Sequence, residues 1–348
     1  MPAITFRGRT AVSLENADLR VTVLHGGGHI AEILDKRTGI NPLWIPDWPS
    51  IEPANYSLAA HPEYDNNVES KLLASIMGHN LCMDIFGEPS PEEAALGIAV
   101  HGEGSVVPYD VTEDPGRIIM RAHFPIAQLR FERRIQLRDH ALKISESVEN
   151  LCGFDRPIFW TQHVTLGPPF LERGVTQFRA SATRSKVWET DFGVAPYLKA
   201  AAEFDWPLAP RIDAGFADLR VFNATASSSA FTAHLMNPGL EPAFFAAFAP
   251  AHRLAFGYVW KRADFPWMGI WEENHSRVHA PWNGNSLTRG MEFGVSPYAE
   301  PRRQAIDRGA MFGVPTYRWL PAKSTLSVEY WAVMQEAAVI PESLEWPI

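Results

Sequence analysis

Cysteine is scarce: only Cys82 and Cys152 occur in 348 residues. They lack CxxC spacing and a secretory context, so free thiols in a reducing, cytoplasmic compartment are expected rather than a disulfide scaffold. The opening Met1-Pro2-Ala3-Ile4-Thr5-Phe6-Arg7 lacks the charged-then-apolar pattern of a signal peptide. Long apolar runs are missing too. Residues 243–260 come closest, but Pro250, His252 and Arg253 interrupt them, so no span of about 20 apolar residues can form and no membrane segment is expected. Basic charge is in deficit, with 31 Lys and Arg against 40 Asp and Glu and a net charge of -9. Such a chain grips a phosphate backbone poorly, and no nucleic-acid partner is expected.

Several catalytic signatures are absent. Gly26-Gly27-Gly28 is no dinucleotide loop, because neither GxGxxG nor a following helix is present. No GxSxG occurs, which removes the nucleophile elbow of the α/β-hydrolases. His275 and His279 follow Glu272-Glu273, but HExxH is lacking and Pro281 is close. A solvated loop is expected there, and no metal.

What is present favours strands. There are 28 prolines and 24 glycines, which cut the chain into short pieces, and 46% of residues are hydrophobic, enough for a core without disulfides or metals. Leu19, Val21 and Val23 alternate with polar residues. Residues 30–34 and Leu43-Trp44 read as the arms of a hairpin. Leu129, Phe131, Ile135 and Leu137 share one parity; after a turn at Asp139-His140, Leu142, Ile144 and Val148 do the same, giving a long hairpin. A second hairpin joins 243–249 to 254–260, and a late strand follows at 326–331. Helical signals are confined to 67–77, 91–96 and 196–203. With no repeat, low-complexity tract or linker, residues 1–348 read as one antiparallel all-β domain of two sheets packed face to face, with a few short helices.

Three strings bring polar groups into apolar strand contexts: Gly97-Ile98-Ala99-Val100-His101-Gly102-Glu103-Gly104, Phe159-Trp160-Thr161-Gln162-His163-Val164-Thr165, and Arg289-Gly290-Met291-Glu292-Phe293-Gly294. A lone His or Glu of this kind is ordinarily structural. Twelve tryptophans, four of them at 260, 267, 271 and 282, add flat apolar faces that pack cores and also suit sugar rings.

Taken together the strings resemble the aldose 1-epimerase (galactose mutarotase-like) family and its hexose-6-phosphate epimerase relatives. His101-Gly102 is similar to the family's His-Gly element. His163, after the long hairpin, is similar to its second histidine, and Met291-Glu292 to its late glutamate. Gly78-His79-Asn80 stands where the family has an arginine-asparagine string bordering the sugar. The resemblance implies a galactose mutarotase-like β-sandwich (a supersandwich) and a carbohydrate isomerase interconverting aldose anomers without a cofactor. It implies Glu292 as base, His163 as acid, and His101 binding the ring oxygen or a neighbouring hydroxyl. Such chemistry needs a base at the anomeric hydroxyl and an acid at the ring oxygen, each within hydrogen-bond reach. Trp271, His79, Asn80, Trp160 and Gln162 are the candidate substrate contacts. A small-molecule carbohydrate is the expected partner, with a homodimer as the expected assembly. Two alternatives stay open: a sugar-binding module without turnover, and a lyase or hydrolase in which Glu272 or Glu273 works with Glu292.

Overall fold

The computed structural model describes residues 4–347. Two large antiparallel sheets face each other across a shared core. The first has eleven strands, in the order Ile4–Phe6, Arg9–Glu15, Leu19–Leu24, Ile30–Asp35, His79–Met83, Trp160–Leu166, Leu287–Gly294, Trp267–Asn274, Ser228–Met236, Ala182–Val187 and Glu203–Asp205. The second has eight: Gln177–Ala180, Ala243–Ala249, Leu254–Trp260, Thr325–Glu336, Ala141–Asn150, Leu129–Arg138, Arg117–Phe124 and Asp110–Asp114. Early and late segments of the chain are neighbours in both.

Alternation explains most of these strands. In the Leu129–Arg138 and Ala141–Asn150 hairpin, Ile135 faces Ile144 and Phe131 faces Val148. The apolar parity enters the core and the charged parity stays outside. The hairpin from 243 to 260 closes through a 3-10 turn at Pro250–His252, with Arg253 in the left-handed region at φ 49°. The late strand, Thr325–Glu336, slots between Leu254–Trp260 and Ala141–Asn150. The first expected hairpin differs. Ile30–Asp35 pairs back onto Leu19–Leu24, whereas Leu43 leaves to bridge Leu166 in the centre of the first sheet.

Helix is sparse. Ser70–Leu73 and Pro91–Ala95 lie where helices are expected, the second opened by a Ser90–Glu93 capping box. Residues 196–203 form none, because Pro196 and Leu198 bridge Ser229 and Arg211 instead. Arg302–Arg308, outside the stretches with helical signals, is a two-turn helix with Pro301 at its N-cap. Among the described residues no helix is long and apolar enough to cross a membrane, and Cys82 and Cys152 are both free and buried.

The inter-sheet core takes Val21, Leu81, Trp160, Val164, Met291 and Phe293 from the first sheet. Phe131, Ile144, Phe245, Tyr258 and Tyr330 come from the second. The outer face of the first sheet is also covered, by a second apolar cluster in which Trp44, Leu72, Ile76, Trp282 and Tyr298 pack on Phe231, Trp267 and Trp271. Every residue of Trp160–Leu166 is therefore buried. Alternation is muted in this central strand, because both of its faces are apolar surroundings.

Candidate active site

Strand register brings the chemistry together. His163, on Trp160–Leu166, stands directly opposite Glu292 on Leu287–Gly294, and Glu292 stands opposite Gly269 on Trp267–Asn274. Cross-strand partners share a face, here the outer face under the second apolar cluster. His163 Nε2 lies 3.1 Å from Glu292 Oε1. Their alignment is poor for a hydrogen bond, so Oε1 remains a buried acceptor without a donor.

Glycines make room for that carboxyl group. A Cβ at Gly290 would run into Glu292 Oε1, and one at Gly269 would sit 2.7 Å from the tip of the Phe231 ring. Glycine inside a strand otherwise weakens it, so two such positions flanking one carboxylate mark a hollow in the sheet surface.

His101 arrives from the loop after Pro91–Ala95. It has φ 66° and Gly102 has φ 80°. A Cβ on Gly102 would collide with the Met83 carbonyl oxygen, so glycine after His101 is a backbone requirement. His101 Nδ1 donates to the Phe86 carbonyl at 2.5 Å. That bond fixes the tautomer and leaves Nε2 as the lone-pair nitrogen. The His101 and His163 ring centroids are 4.9 Å apart. His163 Nδ1 is held by the Thr165 hydroxyl at 3.0 Å.

All three residues line one cavity of about 460 Å³. Exposed Glu88, Gly193 and Gln304 stand at its mouth, and buried His163 and Glu292 at its floor. Trp271 lines it as well, its ring 6.0 Å from His163. Burial dominates the electrostatics. It raises the Glu292 carboxyl to about 8. It also drives His163 well below the ordinary imidazole value, with the His101 charge adding to the effect, and lowers His101.

The other expected contacts fall elsewhere. Trp160 and Gln162 do share a face, but it is the face opposite His163, because side chains alternate along a strand. His79, opposite Val164, points the same way. These three belong to a dry polar network between the sheets. Glu146 Oε1 accepts from Arg133 Nε at 2.7 Å and from the Tyr330 hydroxyl at 2.6 Å. Its Oε2 accepts from Gln162 Nε2 at 2.7 Å and Trp160 Nε1 at 3.0 Å. His79 Nε2 donates to Gln162 Oε1 at 2.9 Å, so its Nδ1 accepts from the Tyr258 hydroxyl at 3.0 Å. None of the three can touch a ligand in the cavity. Asn80, opposite His163, is on the correct face but outside the cavity wall, donating to Ser105 Oγ at 3.0 Å.

The sequence reading missed Trp188, Phe192 and Phe231, which form an aromatic wall of the cavity, and Glu69 and Arg277, which meet at 3.1 Å along it. Only Phe231 carried a signal, its parity within Ser228–Met236. Of the two further carboxylates considered, Glu272 faces away and pairs with Arg289 at 3.1 Å. Glu273 accepts from Ser276 and the Arg277 amide. Among the described residues no three His, Cys, Asp or Glu side chains gather as metal ligands.

No family model matches the chain, and no curated protein matches it in sequence. Solved structures do match in fold. A candidate aldose 1-epimerase from Klebsiella pneumoniae superposes with a TM-score of 0.66 at 15% identity, over 95% of this chain and 80% of that one. One from Escherichia coli gives 0.63 at 12% identity, over 94% and 100%. A galactose mutarotase-like protein from Lactobacillus casei gives 0.61 at 13% identity, over 93% and 100%. The architecture of this chain is the galactose mutarotase-like β-sandwich.

Proposed function

We propose that the chain is an aldose 1-epimerase, interconverting sugar anomers by acid–base ring opening. One observation carries the reading. His163 and Glu292, distant in sequence, meet at 3.1 Å on the floor of a cavity whose mouth is solvent-exposed. The shared fold supports it.

A pyranose whose anomeric hydroxyl and ring oxygen reach this floor meets both a proton donor and an acceptor. Near pH 7 burial keeps the proton on Glu292 and leaves the imidazoles neutral. Glu292 donates to the ring oxygen as the C1–O5 bond breaks, and His163 takes the proton of the anomeric hydroxyl. The C1 carbonyl end rotates, both transfers reverse, and the ring closes on the other face. This reading keeps the pair expected from the sequence but reverses the expected roles of Glu292 as base and His163 as acid, because burial favours the protonated carboxyl group. His101 Nε2 accepts from a neighbouring hydroxyl. These steps require no metal or organic cofactor.

Competing readings fit less well. A binding module has no need of a carboxyl group desolvated to this extent beside two imidazoles. In a two-carboxylate hydrolase the partner groups stand about 5–9.5 Å apart. Glu273 is four strand positions from Gly269, the residue opposite Glu292, or about 13 Å along the strand. A phosphate arm finds no waiting arginine at Arg302, which is held by Asp84 at 2.9 Å and Glu93 at 2.6 Å.

Exchange NMR on the anomers of hexoses, pentoses and 6-deoxyhexoses tests the proposal. The wild-type protein should accelerate exchange, with a rate falling above about pH 8 as Glu292 ionises. Glu292→Gln should cost about 100-fold or more. Wild-type protein that accelerates none of these sugars would end the reading.

A further inference from the structure

We propose that the sugar handled here carries an apolar edge away from its anomeric carbon, as a 6-deoxyhexose does. The inference rests on the epimerase reading and specifies its substrate class. It starts from what borders the carboxyl group. The Phe231 ring stands over Gly269, the strand partner of Glu292, so an aromatic surface begins directly beside the reacting group. Trp188 and Phe192 extend it, their ring centroids 5.5 and 5.7 Å from that of Phe231. Leu72, Leu73 and Ile76 also line the cavity.

Beside the His101, His163 and Glu292 cluster, the polar side chains of the lining are Glu69, Arg277 and, at the mouth, Glu88 and Gln304. Arg277, the cavity's arginine, is balanced by Glu69 at 3.1 Å and Glu273 at 3.5 Å, and its guanidinium lies 4.8 Å from the Trp282 ring centroid. Two buried polar atoms of the lining lack a partner: Glu292 Oε1 and the Trp282 indole nitrogen. The indole N–H asks for an acceptor from a ligand, and the carboxyl group for one further polar partner. A hexose with a hydroxyl on every carbon would press others against Phe231, Phe192 and Trp188, where each loses water and gains no bond. A methyl group in that position loses nothing and buries apolar surface.

Matched pairs decide the matter: D-fucose against D-galactose, 6-deoxy-D-glucose against D-glucose, and L-rhamnose against L-mannose. Anomer exchange gives kcat/KM, and saturation-transfer NMR gives binding independently of turnover. The deoxy member of at least one pair should be preferred about 10-fold or more in kcat/KM. In Phe192→Asn, where the half-buried ring becomes an amide, that ratio should fall toward one, and in Phe192→Leu it should persist. If every hydroxylated partner is exchanged as well as its deoxy form, the inference fails and the epimerase reading stands. If deoxy sugars bind preferentially but none is exchanged, the apolar edge stands and the epimerase reading fails. If no sugar binds or is exchanged, both fall.

Discussion

At the scale of single residues, the site depends on a carboxyl group almost wholly withdrawn from bulk water. Glu292 is 1% exposed and its Oε1 has no donor; its pKa near 8 has burial as its cause. Gly290 makes that geometry possible. Gly290→Ala should keep the wild-type circular dichroism at a cost of about 1–3 kcal/mol in urea unfolding, while lowering anomer exchange about 100-fold, because a Cβ 2.3 Å from Oε1 displaces the carboxyl group. Exchange at the wild-type rate would show that the carboxyl position is immaterial. His101, His163 and Glu292 were legible in the sequence as polar groups in apolar strings. Trp160 and Gln162 were misread, because parity states which residues share a face and not which face meets solvent or ligand. His79 fails for the same reason, on the neighbouring strand.

Among the elements, the Trp160–Leu166 strand carries most of the organisation. One face presents His163 to the cavity. The other is pinned by Gln162 and Trp160 to Glu146, which is itself paired with Arg133 at 2.7 Å, both side chains fully buried. A slip of one residue would exchange the two faces, so this dry network also holds the register that puts His163 opposite Glu292. Glu146→Leu leaves Arg133 charged and unpaired and should cost about 3–5 kcal/mol in urea unfolding. The double change Arg133→Met with Glu146→Leu should cost clearly less than that single change. Equal losses in the two proteins would argue against a buried charge as the cause. The long hairpins at 129–150 and 243–260 were readable from sequence because each has one apolar parity or one compact apolar run. The helix Arg302–Arg308 was not, because seven residues opening on two arginines offer no apolar stripe beyond Ala305 and Ile306.

For the molecule as a whole, burial of histidine sets the pH response. His29 and His234 are lowered to about 3, His79 and His163 well below 6.5, and His101 is lowered, each chiefly by burial. The unfolded chain binds these protons near pH 6.5 and the folded one does not. Each histidine therefore withdraws up to about 1.4 kcal/mol of stability per pH unit as pH falls below 6.5 through its folded value. Glu292 acts with the opposite sign, its raised value costing stability as pH rises from about 4.5 toward 8. The urea midpoint should drop steeply between pH 6.5 and 4.5; a flat midpoint over that window would contradict neutral, buried imidazoles. The sequence by itself determined the all-β class, the main hairpins and the three polar residues that the fold gathers at one cavity, because alternation and chemical type are local properties of a chain. The tertiary structure alone decided which face of the central strand meets the cavity, which aromatic rings wall it, and how far Glu292 and the histidines are withdrawn from water. Those outcomes depend on sheet order and on exclusion of water, and both arise only when distant segments pack together.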